Sequence, residues 1–189
     1  MIRIGILGNI GSGKSYVAKN FGYPVFNADY EVSKLYKKDK KIFKKLKKKL
    51  PKHISSFPIN KSEITKAILS NKVNLKKIIT IVHLEIKKIL KLFLKKNRNK
   101  KVIILDIPLL LENKINNKDD ILVFVDSKKI EIEKRLKKRL NFNRKLINKF
   151  KKIQFSSSYK KRRSNFIIKN NFKKKSLNKS IKKILNEIL

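Results

Sequence analysis

Cysteine is absent from the 189 residues, which excludes a disulfide framework and any thiolate-held metal centre. Glycine is nearly as scarce, with five residues and none after Gly22, so a DxxG nucleotide switch cannot be written anywhere downstream. Acidic residues number only 13 against 52 Lys and Arg, a formal charge of +39. Long apolar runs are missing too: even VIILDIPLLLEN is interrupted by Asp106 and Pro108, and no membrane partner is expected. The start, Met1-Ile2-Arg3-Ile4, lacks a basic region followed by a long apolar stretch and a small-residue cleavage site, and the expected location is the cytoplasm.

What is present suits one well-buried core, since 41% of the residues are apolar in a chain of single-domain length. A monomer is expected. The positive charge would ordinarily suggest nucleic acid. Here lysine is scattered over nearly every segment in company with Ile and Asn, a compositional drift toward solvated faces more than a focused stripe. Aromatics make up 8% and do not interleave with the basic residues as stacking platforms would. No specific nucleic-acid partner is expected, although a basic nucleic-acid-binding protein stays open as an alternative from another functional class.

Five short apolar runs alternate with helical sequence: Ile2 to Leu7, Pro24 to Asn27, Lys101 to Ile107, Ile121 to Val125 and Phe166 to Ile168. Unbroken apolar runs without polar alternation are the signature of strands buried on both faces, so a parallel α/β sheet with right-handed crossovers is expected. Between Asp29 and Lys100 the pattern is helical, clearest where Leu75, Ile78, Ile79, Val82, Ile86, Ile89, Leu90 and Phe93 recur at spacings of three and four. Helix is also expected from Ser127 to Leu140, and a final helix capped by Ser176.

One stretch carries chemistry. Gly8-Asn9-Ile10-Gly11-Ser12-Gly13-Lys14-Ser15 fits G-x-x-x-x-G-K-[ST] at every fixed position, follows a strand and opens a helix. A loop that folds backbone N–H groups round a phosphate needs positive φ and bare backbone, which accounts for Gly8, Gly11 and Gly13. The helix beginning at Lys14 and running through Tyr16 directs its N-terminal dipole at the same anion. Lys14 is expected on the β and γ phosphates and the Ser15 hydroxyl on Mg²⁺, which implies ATP with Mg²⁺. Asn117-Lys118-Asp119-Asp120 spells a guanine-reading motif, but it precedes a strand, and ligands gather at strand carboxyl ends. A compact kinase for a small acceptor fits best.

Further residues suggest their own roles. Asp29, beyond the second strand, can orient an acceptor hydroxyl and take its proton, or cap the helix that follows. Asp106 ends the third strand, where an acid can touch Mg²⁺ or be a satisfied strand-end carboxylate. Pro108 turns the chain, Leu109 to Leu111 suit packing, and Glu112 faces the acceptor or pairs with a lysine. His83 stands on or beside an apolar helix face, either as a core histidine or near the acceptor. Arg135 and Arg139, four apart, are expected on one helix face, where a guanidinium can hold a phosphoryl group bidentately.

Together these stretches resemble the dephospho-CoA kinase family over nearly the whole chain and in the right order. GILGNIGSGKSYVAKNFGYPVFNADYEVSKLY is similar to that family's phosphate loop, first helix and Asp-Ala-Asp motif, and DIPLLLEN to its Asp-Val-Pro-Leu-Leu-x-Glu. KRLKKR resembles the lid arginine segment, and QFSSSYKKRRSNFIIKNN the Gln, basic run and Val-Ile-x-Asn stretch. The resemblance implies ATP-dependent phosphorylation of the ribose 3′-hydroxyl of dephospho-CoA. It implies Asp29 as catalytic acid/base, Lys14 and Arg139 as catalytic cations, and Asn170 near adenine. Asp29, His83, Pro108, Leu109 and Glu112 would meet the acceptor. The implied fold is a three-layer P-loop kinase sandwich with a five-stranded parallel sheet. The implied organisation is one domain: core 1–35, 100–135 and 159–189, helical acceptor-binding region 36–99, and lid 136–158. Another small-molecule or nucleoside monophosphate kinase is the nearest alternative. Four positions depart from the pattern: Asn27 replaces the first acid, Leu84 the proline after His83, Leu140 the acid after the lid arginine, and Asn165 the acid before the last strand.

Overall fold

A computed structural model describes residues 1–140 and 142–189, which form two compact units: Met1–Asn27 with Asn97–Leu189, and Ala28–Lys96.

The first unit holds a five-stranded sheet in which every pairing is parallel. Its strands are β1 (Ile2–Gly8), β2 (Val25–Asn27), β3 (Val102–Asp106), β4 (Ile121–Asp126) and β5 (Phe166–Lys169), in the spatial order β2-β3-β1-β4-β5. The five apolar runs thus become the five strands, and β3 is buried at every residue. Helices α1 (Lys14–Asn20) and α9 (Lys174–Ile188) cover one face. Val17, Ala18 and Phe21 from the first, and Leu177, Ile181 and Ile184 from the second, pack on Ile4, Ile6, Ile104, Val123, Val125 and Ile168. On the opposite face a methyl group at Gly5 would lie 2.6 Å from Leu110 and 2.9 Å from Leu122. That glycine serves packing, because the side chains behind it would otherwise have to move.

Helix α9 starts two residues before Ser176, with Lys173 at its N-cap position and no side-chain cap. Ser176 therefore does not cap it: Oδ1 of Asn170 accepts from the Phe172 amide, Oδ1 of Asn171 accepts from that of Lys173, and these local bonds turn the chain into the helix earlier. The expected 127–140 helix is shorter as well. It is α6 (Lys129–Lys137), closed by Lys138. The stretch beyond holds α7 (Arg144–Lys152), started by Asn143 accepting from the Leu146 amide, and α8 (Ser157–Arg162), started by Ser156 accepting from that of Tyr159. Asp120 of the guanine-like tetrapeptide sits before β4, held by Nε and Nη2 of Arg3 at 2.9 and 3.0 Å and by the Asn117 amide. It closes the amino end of the sheet.

The second unit comprises α2 (Ala28–Lys38), α3 (Lys40–Lys49), α4 (Lys61–Ser70) and α5 (Lys72–Lys96). Asp39 caps α3, and Asn60 with Glu63 form a reciprocal capping box on α4. Leu75, Ile78, Val82, Ile86 and Leu90 are the buried stripe of α5, as their spacing requires.

Candidate nucleotide-binding site

The glycine-rich loop leaves the carboxyl end of β1 and enters α1. Gly8, Gly11 and Gly13 have φ of 148, 87 and 91°, a region that side chains rarely enter. A methyl group at Gly8 would stand 2.7 Å from Ser12 Oγ and 2.8 Å from the Val125 carbonyl, and one at Gly13 2.6 Å from Asn170 Nδ2. The loop is braced from two other strands' ends: the Ser12 carbonyl accepts from Asn170 Nδ2 at 2.9 Å and from Ser127 Oγ at 3.0 Å. Asn170 is buried, so its side chain acts on the loop's backbone. Ser12 Oγ is fully buried with no partner among the described residues. An orphan hydroxyl inside a cradle that any Cβ would fill is what a loop built for an anion offers.

Lys14 curls over this loop, its ammonium 3.1 Å from the Gly8 carbonyl and 3.0 Å from that of Asn9. Ser15 and Tyr16 are exposed in the first turn of α1. Asn9 Oδ1 accepts from Ser157 Oγ at 2.8 Å. Asn9 and Ile10 border a cavity of about 360 Å³ with Ile132, Leu136, Gln154 and Phe155.

A second, narrow recess brings Gly8 and Lys14 together with Leu109, Glu112, Gln154 and Lys160, and Pro108 also borders it. Leu109 adopts φ 61°, left-handed and uncommon for a leucine, and Leu109 to Leu111 are buried as packing residues. Glu112 Oε1 pairs with Lys160 Nζ at 2.9 Å and accepts from the Phe155 amide at 2.9 Å, so of its two sequence readings the lysine pair is formed. Asp106 is buried, with Oδ2 accepting from Asn27 Nδ2 at 2.7 Å. Asn165, another departure from the family's acids, brackets one residue of β4: its amide donates to the Leu122 carbonyl and its Oδ1 accepts from the Leu122 amide, each at 2.8 Å.

The common face expected for Arg135 and Arg139 is not formed. The helix carrying Arg135 ends at Lys137, and the Arg139 amide bonds back to the Leu136 carbonyl in a turn. Arg139 is exposed, whereas the Arg135 guanidinium stacks over the Phe172 ring, 4.1 Å from its centroid. Phe172 is itself left-handed, at φ 62°.

In the helical unit, Asp29 occupies the first turn of α2, which begins one residue earlier at Ala28. It therefore is not the N-cap, though its charge suits the helix's positive end. His83 is half-buried on α5, and its Nε2 is buried without a partner among the described residues. Burial, and then the neighbouring Lys87, hold its pKa below the usual histidine value.

Sequence reasoning found the loop but missed Lys160, which in SYKKRRS is one cation among many. It also missed the Asn27–Asp106 bond, legible only once β2 and β3 are known to be neighbours.

An all-parallel sheet whose central strand runs into G-x-x-x-x-G-K-S defines a P-loop nucleotide-binding protein of the kinase type. The model of a family described as dephospho-CoA kinase matches residues 2–176. The chain belongs to that family. It is 33% identical to the dephospho-CoA kinase of Wolbachia pipientis wMel over 98% of this chain and 97% of that one. To the enzyme of that name from Rickettsia felis it is 32% identical, over 98% and 96%. Among solved structures, TT1252 from Thermus thermophilus is similar with a TM-score of 0.80 and 26% identity, covering 100% of this chain and 98% of that one. A shikimate kinase from Bacteroides thetaiotaomicron shares the fold at a TM-score of 0.53 and 12% identity, over 99% and 98%.

Proposed function

We propose that this chain transfers the γ-phosphoryl group of ATP to the ribose 3′-hydroxyl of dephospho-CoA, giving coenzyme A and ADP. The observation that carries the reading is the braced loop: three positive-φ glycines, a buried orphan hydroxyl and the Lys14 ammonium converge at the head of the sheet. Family membership supports the acceptor.

Phosphoryl transfer asks a protein mainly to position two oxygens in line and to neutralise charge on three more. Lys14 leaves its own loop's carbonyls to meet the terminal phosphates. Mg²⁺ arriving with ATP would be held by Ser15 and Asp106 and would supply positive charge against that of the phosphates. Two protein oxygens beside substrate oxygens and water suit that ion, which rarely needs an all-protein cage. Asp29 orients the acceptor hydroxyl and takes its proton, with His83, kept neutral near pH 7, on the acceptor side. Pro108, Leu109 and Glu112, which line the recess beside Lys14, are assigned to the acceptor as well. Asn170 serves ATP by holding the loop. Residues 136–158 form a lid in which Arg139 meets the transferring group, and the helical region 36–99 receives the acceptor. The reading extends to a monomer working in the cytoplasm.

The test is ADP release with dephospho-CoA set beside nucleoside monophosphates and shikimate, with coenzyme A identified as product. Turnover that depends on dephospho-CoA is expected, and Lys14→Ala should lower it on the order of 10²–10³-fold. Faster turnover with any other acceptor would replace the reading.

A further inference from the structure

Lys160 is the anomaly of this highly basic chain. Of the 52 Lys and Arg residues it is the one that the fold buries among the described residues, at 3% exposure. Its partner Glu112 is buried with it, at 8% side-chain exposure. Taking an ammonium and a carboxylate out of water is costly, and an apolar pair of like volume commonly serves stability as well or better. Fold stability is therefore a poor reason for the pair.

The surroundings supply a better one. Lys160 lies on α8, whose first residue, Ser157, is tied to Asn9 of the glycine-rich loop, while Glu112 also accepts from the Phe155 amide just before that helix. Its ammonium is thus held between the loop and the segment after β3, in the recess that Gly8 and Lys14 share. An ammonium carries three N–H donors. The contact with Glu112 is its one protein interaction among the described residues.

We infer that Lys160 is a second phosphate-binding cation, directed at the terminal phosphates of the nucleotide from the side of the recess opposite its carboxylate partner. Glu112 is its positioning residue. This rests on the nucleotide-binding reading of the loop and is independent of which acceptor is used. The pair of 2.9 Å fixes where the ammonium points, in a buried site where a fixed charge acts more strongly than in water.

Lys160→Met alone would leave a buried carboxylate unpaired and risk the fold, so the test uses Lys160→Met/Glu112→Gln, which removes both charges and keeps an acceptor for the Phe155 amide. Affinities for ATP and AMP are measured by calorimetry on wild type and on the double variant, with thermal melting alongside. The double variant should melt like wild type, keep its AMP affinity, and lose about tenfold or more of its preference for ATP over AMP. With an acceptor present, kcat should fall about 100-fold. A preference within about threefold of wild type overturns the assignment. If that unchanged preference comes with a raised acceptor KM, the ammonium belongs to the acceptor instead. Wild type that binds ATP yet does not phosphorylate dephospho-CoA would sink the proposed acceptor while leaving the ATP-to-AMP comparison decisive for Lys160.

Discussion

Asn27 and Asp106 stand opposite each other in the β2–β3 register and are joined by a bond of 2.7 Å from the amide nitrogen to the carboxylate. Asn27 therefore meets Asp106 as a neutral donor. Asn27→Asp would set a second carboxylate at that distance, and repulsion would raise the affinity of the pair for one proton. A carboxyl whose pKa is raised by folding lends stability at low pH and loses it as pH climbs through the folded value. The variant should melt below wild type near pH 8, with the gap closing near pH 5. Equal melting at both pH values would show that Asp106 tolerates the added charge.

Asn170 spends its side chain on Ser12 and Phe172. Asn170→Ala strands the buried Ser12 carbonyl with only the Ser127 hydroxyl and should cost about 1–3 kcal/mol. Because the damage reaches the loop, the KM for ATP should rise more than that for the acceptor. A stability loss with both KM values unmoved would make Asn170 a turn residue only.

His83 titrates below the ordinary histidine value because burial disfavours its charged form. A depressed histidine contributes stability that is complete above the unfolded pKa of about 6.5 and lost as pH falls through the folded value. Wild type should therefore lose melting temperature between pH 7.5 and 5 more steeply than His83→Gln. Parallel curves would mean that the imidazole is hydrated in solution.

Arg139 is exposed in the turn after α6, so Arg139→Lys should leave the melting temperature alone. A planar, bidentate role in phosphoryl transfer nonetheless predicts that kcat falls by about tenfold or more, since an ammonium cannot copy the fork. An unaltered kcat would remove Arg139 from the site.

The parts of the molecule legible beforehand are those where one residue type has one physical use. Glycine at positions 8, 11 and 13 and the unbroken apolar run Val102 to Leu105 allow few other structures. Residues whose environment is made by distant segments were opaque. Lys160 acquires its meaning from Glu112, 48 positions away by their numbers, and from a loop at the other end of the chain. Helix ends were misjudged where a neighbour's side chain intervened: Ser176 has the chemistry of a cap, but Asn170 and Asn171 begin the turn first. The distance between Arg135 and Arg139 was right for a helix that stops too soon.

The sheet ends on one side in β2, three residues long, and on the other in β5, four residues long and finished by a lysine. Borders so brief give a foreign chain little backbone to zip onto, and like charge repels a second copy. A polypeptide carrying this much isoleucine can thus stay dispersed at concentrations where a longer, uncharged margin would nucleate fibres.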